Sequence, residues 1–320
     1  MSISTADFIE DRMAVATDAT AAPDDLRTLA RDMNPRVRQQ VVHNPGTPPD
    51  SLMQLAIDYP ADVLNNPALP VHIASDPALL GALPYDAIDP LLQENALPAH
   101  WILAIARRDY YLSSETRLLM ARHPNTPAAA LRELAASVNQ FQTELARALP
   151  MHPACPADVL QTLATHADAS VRVEVARHDS TPPSCLPLLL SDADTHVRRA
   201  VQTHPQAPLD LIALLRRSGI DPVYTPATES PEPLTTAEQQ RLCTLGPSIR
   251  ERLAQAPSAH PEVLTQLTHD ESRLVQCAAA RNPNTPLPAL RQLVKTSRLA
   301  IQQAVFSNPV ARQHFAELMR

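Results

Sequence analysis

The chain has 320 residues, 44% of them hydrophobic and 19% charged, with a formal net charge of −7. This excludes a disordered chain and a membrane-embedded one, and the acidic balance argues against a general binder of nucleic acid. Four glycines leave no material for a glycine-rich phosphate loop, and 33 prolines forbid long helices or long strands, so only many short elements fit.

The start, Met1-Ser2-Ile3-Ser4-Thr5-Ala6-Asp7, has no basic region followed by an apolar stretch, and no long apolar run occurs anywhere. Neither a signal peptide nor a membrane span is expected. The cysteines, Cys155, Cys185, Cys243 and Cys277, form no C-x-x-C pair and are too sparse for a disulfide framework, so a reducing cytoplasm is the expected compartment.

Along the chain one short phrase recurs. It reads His43-Asn44-Pro45-Gly46-Thr47-Pro48, then Asn66-Pro67, His123-Pro124-Asn125-Thr126-Pro127, His152-Pro153, His178-Asp179-Ser180-Thr181-Pro182, His204-Pro205, Asn282-Pro283-Asn284-Thr285-Pro286 and Asn308-Pro309. From position 153 to 179, from 179 to 205, from 257 to 283 and from 283 to 309 the step is 26, and from 205 to 257 it is 52, or twice 26. A period of this size marks an array of stacked units. Asn or His before Pro stops the preceding helix and makes a side-chain turn. Thr47, Thr126, Thr181 and Thr285 then stand where a helix N-cap is wanted, with proline next at the first helical position. Asp50 sits where a capping box wants its partner.

After each phrase come two apolar residues three apart, Leu26/Leu29, Leu52/Leu55, Leu131/Leu134, Leu160/Leu163, Leu264/Leu267 and Leu290/Leu293 among them, the stripe of a short first helix. An Asp/Asn-rich turn follows. A second stripe has apolar residues four apart, as in Val37/Val41, Val171/Val175, Val197/Val201, Ile249/Leu253 and Ile301/Val305. Neither helix can bury its stripe alone, so units must stack. The expectation is an all-α solenoid of about eleven two-helix repeats with a period of about 26 residues. Residues 1–21 would cap it, 22–217 form a first block with divergent repeats over 70–122, and 241–320 form a second block with its own cap. Residues 218–240, acidic and rich in Pro and Thr, replace a second helix and read as a loop inserted in one array, either a plain surface loop or a regulatory one.

The phrase N-P-x-T-P, the L-x-x-L-A stretch and the D-x-x-x-V-R-x-x-V-A stretch resemble the variant leucine-rich repeat, a HEAT-like relative, with Arg27 to Pro48 and Arg281 to Pro286 as close instances. The resemblance implies a right-handed superhelix, an α-solenoid of alternating short helices, α with α or 3₁₀. One member of that family carries an N-terminal cysteine cluster for an iron–sulfur centre. This chain has no cysteine before Cys155, so that function does not carry over.

Candidate functional residues are few. Trp101, the only tryptophan, lies near Tyr85, Tyr110 and Tyr111, with Arg107, Arg108 and Asp109 between. Aromatic and arginine anchors are what interface hot spots use, and the competing reading is that Trp101 fills a core gap. Arg38, Arg172, Arg198 and Arg250 follow the second-helix Val or Ile and would stack into a ladder. They either accept an anionic partner or pair with turn aspartates such as Asp32, Asp168 and Asp194. His123, His152, His178 and His204 hold the place that Asn holds in other repeats, which marks a turn cap rather than a metal ligand. No H-E-x-x-H or G-x-S-x-G motif occurs, so no catalytic residue, cofactor or metal is expected. The sequence points to a non-enzymatic scaffold for a protein or peptide partner. The alternative is a nucleic-acid-binding protein akin to HEAT-like DNA alkylation glycosylases, with Asp109 and Trp101 cast as acid and stacking platform, against which the acidic balance counts.

Overall fold

A computed structural model describes residues 9–108, 112–139, 142–221, 223, 233–295 and 299–314. These residues contain helices, turns and loops and no strand. They divide into two compact units, 1–159 and 160–320.

The first unit holds α1 (Ile9–Thr17), α2 (Pro23–Leu29), α3 (Pro35–His43), α4 (Pro49–Leu55), α5 (Pro60–Leu64), α6 (Leu69–Ser75), a 3₁₀ segment (Pro77–Ala82), α7 (Tyr85–Leu92), α8 (Ala99–Ala106), α9 (Ser114–Arg122), α10 (Ala128–Ala136) and α11 (Thr143–Met151). The boundary falls within α12 (Ala157–Leu163). The second unit continues with α13 (Ala169–Arg177), α14 (Leu186–Leu190), α15 (Thr195–Gln202), α16 (Leu209–Ser218), α17 (Thr236–Leu242), α18 (Pro247–Gln255), α19 (Pro261–Leu267), α20 (Arg273–Arg281), α21 (Leu287–Val294), α22 (Leu299–Ser307) and α23 (Pro309–Gln313).

First and second helices alternate as the two stripes require, except where α17 follows α16. Second helices pack on second helices of neighbouring repeats, α1 on α3, α3 on α5, α7 on α9 and α9 on α11 in the first unit, α13 on α15, α18 on α20 and α20 on α22 in the second. The striped leucines and valines are buried: Leu26, Leu52, Leu131, Leu160, Leu264 and Leu290 are all fully enclosed, as are Val37, Val41, Val171, Val175, Val197 and Val201. Each such side chain contributes about 1.5–3 kcal/mol by leaving water, so helices too short to survive alone persist in the stack.

Local chemistry sets the helix ends. Proline occupies the first helical position at Pro23, Pro35, Pro49, Pro60, Pro247, Pro261 and Pro309, where its missing N–H costs nothing. Asn34, Asp168, Asp194 and Asn308 accept the backbone N–H two residues on and cap the helices that follow them. Asn44, His123, His152, His178 and Asn282 end second helices in extended conformation, as residues ahead of proline or of a turn do.

The threonines behave otherwise than expected. Thr47, Thr126, Thr181 and Thr285 are buried, and each hydroxyl donates backwards to a carbonyl near the end of the second helix, Val41, Met120, Val175 and Ala279 respectively. They close the helix behind rather than cap the one ahead. The N-cap places at α4, α10 and α21 fall to Pro48, Pro127 and Pro286, which offer no side-chain oxygen. Orphan carbonyls at a buried helix end need a donor more than an exposed N-terminus needs an acceptor. Asp50 joins no capping box either; it pairs with Arg27 of the preceding first helix at 3.1 Å. A capping box does form at α17, between Thr235 and Glu238.

Within 218–240, residues 222 and 224–232 lie outside the described residues. Gly219 ends α16 with φ of 62°, a left-handed conformation that suits glycine. Asp221 is wholly buried, its carboxylate 2.9 Å from Arg198 and 3.4 Å from Arg252. No second helix separates α16 from α17 among the described residues, and the chain at Gly246 and Ser248 closes directly on the turn before α15. The Ser191 hydroxyl accepts the Gly246 N–H, and Ser248 donates to the Ser191 carbonyl. A Cβ at Gly246 would collide with Ser191, so only glycine allows this approach.

Candidate functional site

Two polar ladders run through the repeats. In the first, each Asn or His after a second helix accepts its own backbone N–H two residues on and reaches back to the previous repeat. Asn44 Oδ1 accepts the Gly46 N–H, while its Nδ2 donates to the carbonyls of Ala16 and Asp18, both at 2.8 Å. Asn66 donates to Asn44 (3.1 Å), and Asn308 to Asn282 (2.7 Å). His152 does the same with a ring: Nδ1 accepts the Ala154 N–H at 3.1 Å, so Nε2 carries the proton and donates to the His123 carbonyl at 3.0 Å. His204 repeats the pattern onto His178, and His123 onto Glu94. Both nitrogens of these rings are thus spoken for by backbone. Among the described residues, no cluster of three or more His, Cys, Asp or Glu side chains is placed to hold a metal ion.

The second ladder pairs arginine with aspartate. Arg12 meets Asp32 at 3.2 Å, Arg38 meets Asp58 at 3.2 Å, Arg172 meets Asp192 at 2.7 and 2.8 Å, and Arg250 meets Asp270 at 2.6 and 3.1 Å. The same guanidiniums reach a turn carbonyl of their own repeat, Arg38 to Asp32 and Arg172 to His166. Arg198, 1% exposed, pairs with the irregular Asp221 and also donates to the Asp192 carbonyl at 2.6 Å. Aspartate and arginine do pair between repeats, but the partners differ from those expected. Asp168 and Asp194 serve their own helices as caps, and hydrogen bonds from Ser170 hold the Asp168 carboxyl below its ordinary value. The turn residue two positions earlier, as at Asp192 against Asp194, faces the preceding repeat instead.

Arg38, Arg172, Arg198 and Arg250 each pair with a carboxylate of the chain. Trp101, on α8, is 1% exposed and belongs to the core, where a large aromatic side chain buries the most apolar surface. Arg108 donates to the Leu83 carbonyl at 2.6 Å and lies over the Tyr85 ring, 4.9 Å from its centre. Arg107 is exposed, 3.8 Å from Glu133. Asp109, Tyr110 and Tyr111 lie outside the described residues.

The cysteines are free; Cys155, Cys185 and Cys277 are buried and Cys243 partly so. Burial pushes the Cys155 thiol up to about 12 and the Cys243 thiol to about 11, the opposite of an activated nucleophile.

What the sequence did not single out is a groove of about 630 Å³ between α9 and α11, lined by Ala121, Arg122, Pro124, Glu144, Arg147, Ala148, Met151, His152 and Pro153. Met151 is 61% exposed. Among the described residues, Arg122, Arg147 and Glu144 form no ion pair. One signal was available. The residue before the ladder position is polar in other repeats, as at His43, Asn65, Arg122, Arg177, Thr203, Gln255, Arg281 and Ser307, and methionine only here. A soft apolar side chain at a place otherwise polar is a mark of contact.

No helix among the described residues is long and apolar enough to cross a membrane. No family model matches the sequence, and no curated protein matches it. The chain is similar to a solved structure described as a leucine-rich repeat variant with a novel repetitive protein structural motif, at 23% identity and a TM-score of 0.31, over 69% of this chain and 84% of that one. The repeat character of the chain rests on its own stripes and ladders, which are visible residue by residue.

Proposed function

We propose that the chain is a non-enzymatic scaffold that docks a protein or peptide partner on its second helices, with the groove between α9 and α11 as the seat. The observation that supports this most is the conjunction in that groove of an apolar floor, an exposed Met151 and two arginines, Arg122 and Arg147, without an ion pair. A segment carrying one apolar side chain flanked by acidic ones fits such a place: methionine adapts to the apolar group and the guanidiniums meet carboxylates. The stacked repeats hold the groove open before binding, which lowers the ordering cost of association. A cytoplasmic setting agrees with the free thiols. Against the nucleic-acid alternative counts the acidic balance of the chain, a net charge of −7.

The full chain carrying a photocrosslinker at Met151, with one at the exposed Thr28 as control, tests the reading in cell lysate. A discrete partner captured from Met151 and not from Thr28, and lost at least tenfold in the folded variants Arg147→Glu and Met151→Asp, is expected. Equal capture from both places, or capture undiminished in the variants, overturns it.

A further inference from the structure

The arginine–aspartate ladder has one rung with its carboxylate missing. Arg117 stands six residues before the ladder residue His123, as Arg38 stands six before Asn44, Arg172 six before His178 and Arg198 six before His204. Its aspartate should come three residues after the second leucine of the next first helix, where Asp32 follows Leu29, Asp58 follows Leu55 and Asp270 follows Leu267. That place, after Leu134, is Ser137. The Ser137 hydroxyl turns away and donates to the Leu134 carbonyl at 2.7 Å. Among the described residues no carboxylate pairs with Arg117, although Arg12, Arg38, Arg172, Arg198 and Arg250 each have one. Where the carboxylate would sit, a cavity of about 260 Å³ opens, bounded by Arg117, Ser137 and Glu133 with Leu112, Leu134 and Ala106 as apolar walls. Glu133, in the same lining, is paired with Arg107 at 3.8 Å.

We propose that this cavity is a socket for the carboxylate of an acidic side chain on the docked partner, received by Arg117 as the aspartates are received elsewhere in the ladder. The stem of an Asp or Glu takes the apolar walls, and the partly enclosed setting strengthens the charged hydrogen bonds. Arg117 and Arg122 lie on the same helix, α9, as the groove described above. The inference rests on the reading that a peptide partner docks there, but its chemistry can be tested without that partner.

The probe is N-acetyl-aspartate N-methylamide, titrated at constant ionic strength into the full chain with arginine Nε labelled for NMR, alongside thermal melts. The wild-type chain should show a saturable shift of the Arg117 Nε–H resonance with a midpoint on the order of 10 mM. Ser137→Asp supplies the missing carboxylate from within the chain. It should raise Tm by a few degrees without probe and abolish the response to it. Arg117→Gln should also abolish the response. No saturable response in the wild type overturns the socket, as does a wild-type response in either variant or an unchanged Tm for Ser137→Asp. Loss of groove binding in Arg147→Glu with the probe response intact would separate the two readings.

Discussion

The histidine rung at His152 allows the sharpest test of how neighbouring repeats are held together. His152 is buried and makes two backbone hydrogen bonds, accepting from the Ala154 N–H at 3.1 Å and donating to the His123 carbonyl at 3.0 Å. In His152→Ala both backbone groups lose their partner in a place that water reaches poorly. Each unsatisfied group costs about 1 kcal/mol or more, and the vacated ring volume adds about 1 kcal/mol, for a total of about 3 kcal/mol. His152→Asn should cost less than about 1 kcal/mol, because asparagine makes the same pair of bonds at Asn44, Asn66, Asn282 and Asn308. Urea unfolding followed by circular dichroism at both variants measures the difference, and amide exchange at Ala154 localises it. The reasoning fails if asparagine is as damaging as alanine, since side-chain volume would then matter rather than the ladder. It also fails if alanine costs less than about 1 kcal/mol.

Asp221→Ala strands the buried Arg198 guanidinium and should cost about 3–5 kcal/mol, whereas the double variant Asp221→Leu with Arg198→Met should recover much of that in a double-mutant cycle of urea melts. Gly246→Ala places a methyl against Ser191 and should cost about 1–3 kcal/mol, only partly relieved by Ser191→Ala, because the Ser191 Cβ (3.1 Å) and carbonyl (3.2 Å) also crowd that place; thermal melts of the three variants check it. Cys155 should resist iodoacetamide in the native chain at pH 8 and react once unfolded, as mass spectrometry of labelled peptides will show. Its folded thiol is raised to about 12 against an ordinary 9.0, so between those values the unfolded state releases the proton first. Stability from this group is therefore whole below pH 9 and falls as pH rises toward 12; a rise over that range in a Cys155-only comparison with Cys155→Ala would contradict the assignment.

Much of the repeat could be read from short-range signals. Proline spacing marked the helix starts, Asn or His before proline marked the stops, and the three- and four-residue stripes named the buried leucines and valines. The exchange of His for Asn at one position already implied a cap, and His152 and His204 cap as Asn44 does. The function-bearing features were less legible. Asp192 and Asp194 are the same residue two places apart, yet one receives Arg172 and the other caps α15. Thr47 followed by proline reads as an N-cap by every local rule and turns backward instead. Trp101 beside arginines and tyrosines has the composition of a hot spot and the burial of a core residue.

By itself, then, the order of residues determined where helices begin, where they end and which faces turn inward, because capping, proline geometry and helical periodicity act within one or two turns of chain. Only the packing of one repeat on the next decided which carboxylate meets which guanidinium, that Asp221 enters the ladder from an irregular segment, and that Arg117 meets no carboxylate among the described residues. Those outcomes depend on distances between residues some twenty or more apart along the chain, such as Arg172 and Asp192 or Gly246 and Ser191, and chemically equivalent neighbours become distinct only when the stack brings one of them within bonding reach.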